Sequence, residues 1–116
     1  MGIARDADAG RYEALKRAVA DIALIRRGSL VRRFMPCGKP GCRCQARRPE
    51  LHGPYYQWTR KLRGKTVTVR VSKDQAKLLE AWIENGRRLD KIVGQMERVS
   101  YRLTEQRLRA SRDLKA

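Results

Sequence analysis

At 116 residues, with every special side chain gathered in one cluster, the chain has room for one small domain and not for a second independent core. A formal net charge of +16 at pH 7, from 28 Lys and Arg against 12 Asp and Glu, sits in the range of proteins that bind polyanions. There is no apolar run of bilayer length, no signal-peptide core after Met1 and no lipidation motif at either end. The expectation is therefore a cytoplasmic protein with no membrane partner.

Aromatic residues make up 6% of the chain and charged residues 34%, so the core has to be small and supported by something other than apolar burial. In chain order, the opening MGIARDADAG is polar and expected to fray. Tyr12, Leu15, Val19 and Ile22 then recur at alternating steps of three and four, the stripe of an amphipathic helix that starts as early as Arg5 and ends at Gly28-Ser29. Residues 30–34 read as a short strand stopped by Pro36, and the glycines and prolines between 38 and 54 mark an irregular loop.

Residues 55–61 and 65–71, separated by Leu62-Arg63-Gly64, read as a hairpin. Alternation in the second strand puts Val67, Val69 and Val71 on a face that packs on helices, with Thr66, Thr68 and Arg70 on the other. Ser72 and Gln75 form a capping box, from which a helix runs without proline to the end of the chain. Ala76, Leu79, Trp82 and Ile83 are its core-facing cluster, Asn85-Gly86 is a weak point, and fraying is expected beyond Leu108. Trp82, Leu89, Met96 and Leu103, with Ile92 and Val99 between them, form a seam of about three heptads. That seam suits either the first helix of the same chain or a second copy or partner protein. The fold class is α+β: an N-terminal helix over 1–27, a loop and three-stranded antiparallel sheet over 28–71, and a long C-terminal helix over 72–116.

All three cysteines, Cys37, Cys42 and Cys44, and the single histidine, His52, fall within sixteen residues. Three thiolates and an imidazole are the donor set of a closed tetrahedral zinc site, although iron takes similar ligands. An odd cysteine count in a reducing compartment argues for metal over a disulfide framework. The plainer alternative is buried thiols with His52 hydrogen-bonded to the backbone. Glu50 is the one carboxylate in the region, and neither Tyr55 nor Tyr56 has a base beside it, so no catalytic constellation is read.

Between residues 26 and 70 stand thirteen basic residues and one acid, a net +12. The expected contacts to nucleic acid are Arg32 and Arg33 on the first strand and Lys39, Arg43, Arg47 and Arg48 in the loop. On the hairpin they are Tyr56, Arg60, Lys61, Arg63 and Lys65. Alternation sets Arg60 beside Tyr56 and Trp58, so that rings and guanidinium groups share a surface, unless Trp58 is ordinary core.

The motifs CGKPGCRC (37–44), HGPYYQWTRK (52–61) and GKTVT (64–68) resemble a family of small, basic, uncharacterised bacterial and archaeal proteins often encoded near mobile-element genes. The likeness spans about residues 26–85. It implies roles for Cys37, Cys42, Cys44, His52, Gly53, Pro54 and Tyr55, and no established activity. The resulting expectation is a zinc-binding, nucleic-acid-binding protein, DNA rather than RNA, serving a mobile element. The rival is an adaptor subunit of a transposase or recombinase complex that recruits its partner through the helical seam.

Overall fold

The computed structural model describes residues 2–115 apart from 38 and 47–49. Helix α1 spans Gly2–Ala20, strand β1 Ser29–Met35, β2 His52–Leu62, β3 Lys65–Val71 and helix α2 Lys73–Lys115, with a single 3-10 turn at Arg43–Gln45. The class is α+β, as the sequence indicates. The chain falls into two compact units, residues 25–84 and residues 1–24 with 85–116, and α2 contributes to both.

In the first unit the three strands form an antiparallel sheet in the order β1-β2-β3. The β2–β3 turn is the pair Arg63 and Gly64, both at positive φ (51° and 80°), the two-residue geometry that matches strand twist. Leu30 pairs with Trp58 and Trp58 with Val69, while Tyr56 pairs with Arg32 and Val71, so these side chains share one face. That face meets the start of α2: Trp58, Leu79 and Ile83 are buried together, with Leu30, Val71 and Trp82 packed around them. Ala76, Leu79 and Ile83 lie one helical turn apart, as the apolar spacing requires. The capping box is formed in both directions, Gln75 N–H donating to Ser72 Oγ (3.1 Å) and Ser72 N–H to Gln75 Oε1 (2.8 Å).

The second unit pairs α1 with the later part of α2. Val99 is its buried apolar side chain among the described residues, at 2% exposure, and Leu89, Ile92, Met96 and Leu103 are half-buried. Tyr12, Leu15 and Val19 are half-buried on α1, as is Ile22 just beyond its end. A bidentate pair from Arg102 to Asp8, both contacts 3.0 Å, ties the helices together. Of the seam residues, Val99 lies near Leu15 and Leu103 near Tyr12 of α1, whereas Trp82 belongs to the sheet core.

The helices differ from the sequence reading at four places, and β2 opens at His52, within the stretch read as irregular loop, because its first residues pair with the end of β1. Helix α1 starts at Gly2, inside the stretch expected to fray, and ends at Ala20, not at Gly28. After two i→i−3 bonds at Asp21 and Ile22, the chain exchanges helical hydrogen bonds for tertiary ones. Leu24 C=O accepts from Asn85 Nδ2 (2.8 Å), Arg26 N–H donates to Trp82 C=O (3.2 Å), and Arg27 C=O accepts from Trp58 Nε1 (3.0 Å). Helix α2 continues through Asn85-Gly86, where Gly86 is buried and Asn85 is engaged, and it carries on past Leu108 to Lys115.

Candidate metal centre and the surface around it

The antiparallel pairing of β1 with β2 brings the two ends of the cysteine loop together. Met35 pairs with His52, so Cys37 leaves β1 two residues beyond the paired position and His52 opens β2 directly across from it. The register shifts between Arg33 and Met35, and Gly53 lies against this irregularity at φ 142°. A Cβ there would stand 2.8 Å from Arg33 O and 3.0 Å from Phe34 Cδ1, so the close approach admits only glycine. Cys42 precedes the 3-10 turn and Cys44 lies within it, a tightening fixed by Ala46 N–H and Glu50 N–H both donating to Arg43 C=O (3.2 Å each).

The result is a cluster in which the sulfurs of Cys37, Cys42 and Cys44 and a ring nitrogen of His52 all lie within 4.8 Å of one another. Cys42 Sγ is 3.0 Å from His52 Nε2, and Cys44 Sγ is 3.4 Å from Cys37 Sγ, far beyond a disulfide bond. Ligands about 2.0 to 2.3 Å from a single tetrahedral ion stand between 3 and 4 Å apart, so the donor set fits one metal ion with small adjustments. Outer-sphere support is present: Cys37 N–H donates to Cys44 Sγ (3.1 Å), the type of bond that holds a thiolate ligand in place.

The thiols differ electrostatically. Cys42 is pulled down to about 6, chiefly by the backbone N–H of Cys44 and then by hydrogen bonds from His52, Cys37 and Cys44, so at neutral pH it is largely thiolate. Cys44 also gains from the Cys37 N–H, but burial and its hydrogen bonds to the Cys37 and Cys42 thiols outweigh that and push it up. Cys44 is 4% exposed, whereas Cys42 and His52 are half-buried and border a cleft of about 510 Å3 with Glu50 and Arg43. Glu50 Oε2 is 3.5 Å from Arg43 Nη1, so the one nearby carboxylate is engaged with a cation.

The fold sorts the predicted nucleic-acid contacts onto different surfaces. Arg60 and Tyr56 lie on the helix-covered face: Arg60 Cζ sits 3.9 Å from the Trp58 ring centre, with Arg26 at 5.3 Å. The expected sharing of a surface by Arg60 and Trp58 is thus real, but Trp58 is 7% exposed and its ring belongs to the core. Arg32 lies on that same face, over Phe34 at 5.3 Å, and Lys65 follows it by register with Leu62. Arg63 is in the hairpin turn, and Lys39 and Arg43 are exposed in the cysteine loop. Arg47 and Arg48 lie outside the described residues. Arg33 and Lys61 are on the opposite, open face.

That open face also carries Arg70, which the alternation of β3 places there although it was not among the expected contacts. Its neighbours became visible only with the strand register. Arg70 Cζ stacks 4.1 Å from the Tyr55 ring centre, Arg33 Nη1 donates to Gln57 Oε1 (3.4 Å), and Thr59 Oγ1 meets Thr68 Oγ1 at 2.8 Å.

An α+β domain whose β1–β2 loop gathers a Cys3His cluster around one metal-sized site is the class these features define. The chain belongs to the family described as a domain of unknown function, DUF6788, whose model matches residues 9–81, reaching back into α1 beyond the span the motifs suggest. No curated protein and no solved structure matches it.

Proposed function

We propose that this protein is a zinc-stapled DNA-binding module, serving as an accessory factor of a mobile element. Zinc is the ion favoured by three thiolates and one imidazole in a tetrahedral arrangement, and its role here is structural: it pins the β1–β2 loop to the sheet. One observation carries the nucleic-acid reading. The three strands contain no Asp or Glu, yet they bear Arg32, Arg33, Arg60, Lys61, Lys65 and Arg70. The contacts found for Arg33, Arg60 and Arg70 are to neutral groups, an amide or an aromatic ring, which orient a cation without neutralising it. A polyphosphate supplies the missing counter-charge, and counterion release supplies the affinity.

The adaptor reading, in which the helical seam recruits a transposase or a second copy, draws less support because Leu89, Ile92, Met96, Val99 and Leu103 already lose exposure within the chain. The test is fluorescence anisotropy with a labelled duplex DNA across a salt series, alongside native mass spectrometry of protein purified without added metal. The expected result is one zinc per chain and binding that weakens steeply with salt. Absence of salt-sensitive binding to any DNA or RNA sinks the nucleic-acid reading, and bound iron in place of zinc corrects the metal.

A further inference from the structure

Of the two faces of the sheet, one is spoken for by Leu79, Ile83 and Trp82 of α2, and the other is open. Resting on the DNA-binding reading above, we infer that the open face enters the major groove of duplex DNA, where Gln57, Thr59 and Thr68 meet base edges and Arg33, Lys61 and Arg70 meet the flanking phosphates. Register places these six side chains together: Gln57 pairs with Arg70, Thr59 with Thr68, and Lys61 with Thr66, all opposite in parity to Trp58. Arg33 joins them from β1 through its bond to Gln57.

Size, charge and chemistry agree on this occupant. The B-form major groove, about 12 Å wide, admits a two-stranded ribbon, and the β2–β3 pair carries five of the six side chains, with Arg33 joining from β1 at the edge. An amide and a hydroxyl on the central strand, Gln57 and Thr59, with Thr68 beside them on β3, both donate and accept hydrogen bonds, as groove edges require, while Arg33 stands on β1, Arg70 on β3 and Lys61 further along β2. Arg70, on the edge strand β3, is stacked on Tyr55 of the central strand, a contact that fixes where its guanidinium lies. The A-form major groove of duplex RNA is deep and too narrow to admit such a sheet, so the assignment is to DNA.

Competition on the wild-type protein is the first arm of the test. Methyl green, which fills the major groove, displaces the protein from a duplex, while netropsin, which fills the minor groove, does not. In the second arm, Arg33→Gln/Lys61→Gln/Arg70→Gln weakens binding at least tenfold and lowers the slope of log K against log salt by about 3, three contacts at about 0.9 each. Lys73→Gln/Lys77→Gln/Lys91→Gln removes equal charge from α2 and changes the slope by less than one contact. Gln57→Ala with Thr68→Val leaves the slope intact and flattens the preference among duplex sequences. Circular dichroism and metal content confirm that each variant is folded.

Displacement by netropsin and not by methyl green overturns the inference while leaving DNA binding in place. So does equal loss in the α2 variant, or equal affinity for the same sequence as duplex RNA. No binding to any nucleic acid overturns the inference and the reading beneath it together.

Discussion

Residues 25–84 carry fifteen basic side chains against four acidic ones, while residues 1–24 and 85–116 together carry thirteen against eight. The two units also hold themselves together differently. The sheet unit buries Trp58, Leu79 and Ile83 and brings the four Cys and His side chains of a candidate metal site to one point, whereas the helical unit has a half-buried stripe around Val99 and the Asp8–Arg102 pair between its helices. Concentrated positive charge repels itself, and an apolar core this small gives little to offset the repulsion. Under the proposed function, a coordinated ion would fix the loop in that setting without adding hydrophobic surface. Where charge is closer to balance, a helix pair with modest burial is enough.

The largest expected effect strikes at that contrast. Cys42→Ser removes a ligand already poised as thiolate, and a structural zinc contributes about 10 to 16 kcal/mol in small zinc domains. The variant should therefore lose its metal in native mass spectrometry and protection of the amides around β1 and β2 in hydrogen exchange. Exchange in α1 is expected to stay near wild type, and equal loss in both units would erase the distinction. Chelation of the wild-type protein should reproduce the same pattern.

Trp58→Ala comes next. It empties the centre of the sheet core and removes the Nε1 donor to Arg27 C=O, with an expected cost of about 3 to 5 kcal/mol in denaturant unfolding. Val99→Ala, the corresponding deletion in the helical unit, should cost about 1.5 kcal/mol from two methylene equivalents at about 0.8 each, with metal content unchanged. A cost for Val99→Ala as large as that for Trp58→Ala would show that the helical unit is not the more lightly held one.

Asp8→Asn should give the smallest effect, and one with a characteristic pH dependence. The hydrogen bond and charge of Arg102 hold the Asp8 carboxyl below its ordinary value of 3.8. Its folded-state pKa being depressed, the pair contributes fully above that ordinary value and is lost as pH falls through the lower, folded-state value. Melting temperatures of wild type and variant should differ slightly near neutral pH and converge in strong acid. A difference that persists in acid would mean that Asp8 acts through packing, not through its charge.

Much of the site was legible before any tertiary structure was considered. Three cysteines and one histidine within sixteen residues point to a candidate ligand set by chemistry alone, because sulfur and imidazole donors are the ones zinc prefers. The capping box at Ser72 and Gln75 and the hairpin around Arg63-Gly64 are likewise local, each fixed by bonds or torsions within a few residues. The end of α1 at Ala20 was not legible, since residues 21–28 have no strong helix breaker before Gly28 and leave the helix for partners at Asn85, Trp82 and Trp58.

The sequence by itself determined the candidate ligand set, the order of the elements and the surplus of positive charge, because these follow from side-chain chemistry and short-range periodicity. Tertiary structure alone decided which cations lie on the open face of the sheet. Arg60 and Lys61 are adjacent in sequence, yet one lies over Trp58 on the face that α2 covers and the other stands on the open face with Arg33 and Arg70. A strand's alternation separates such neighbours without saying which side is inside, and only the packing of α2 on Trp58 settles it.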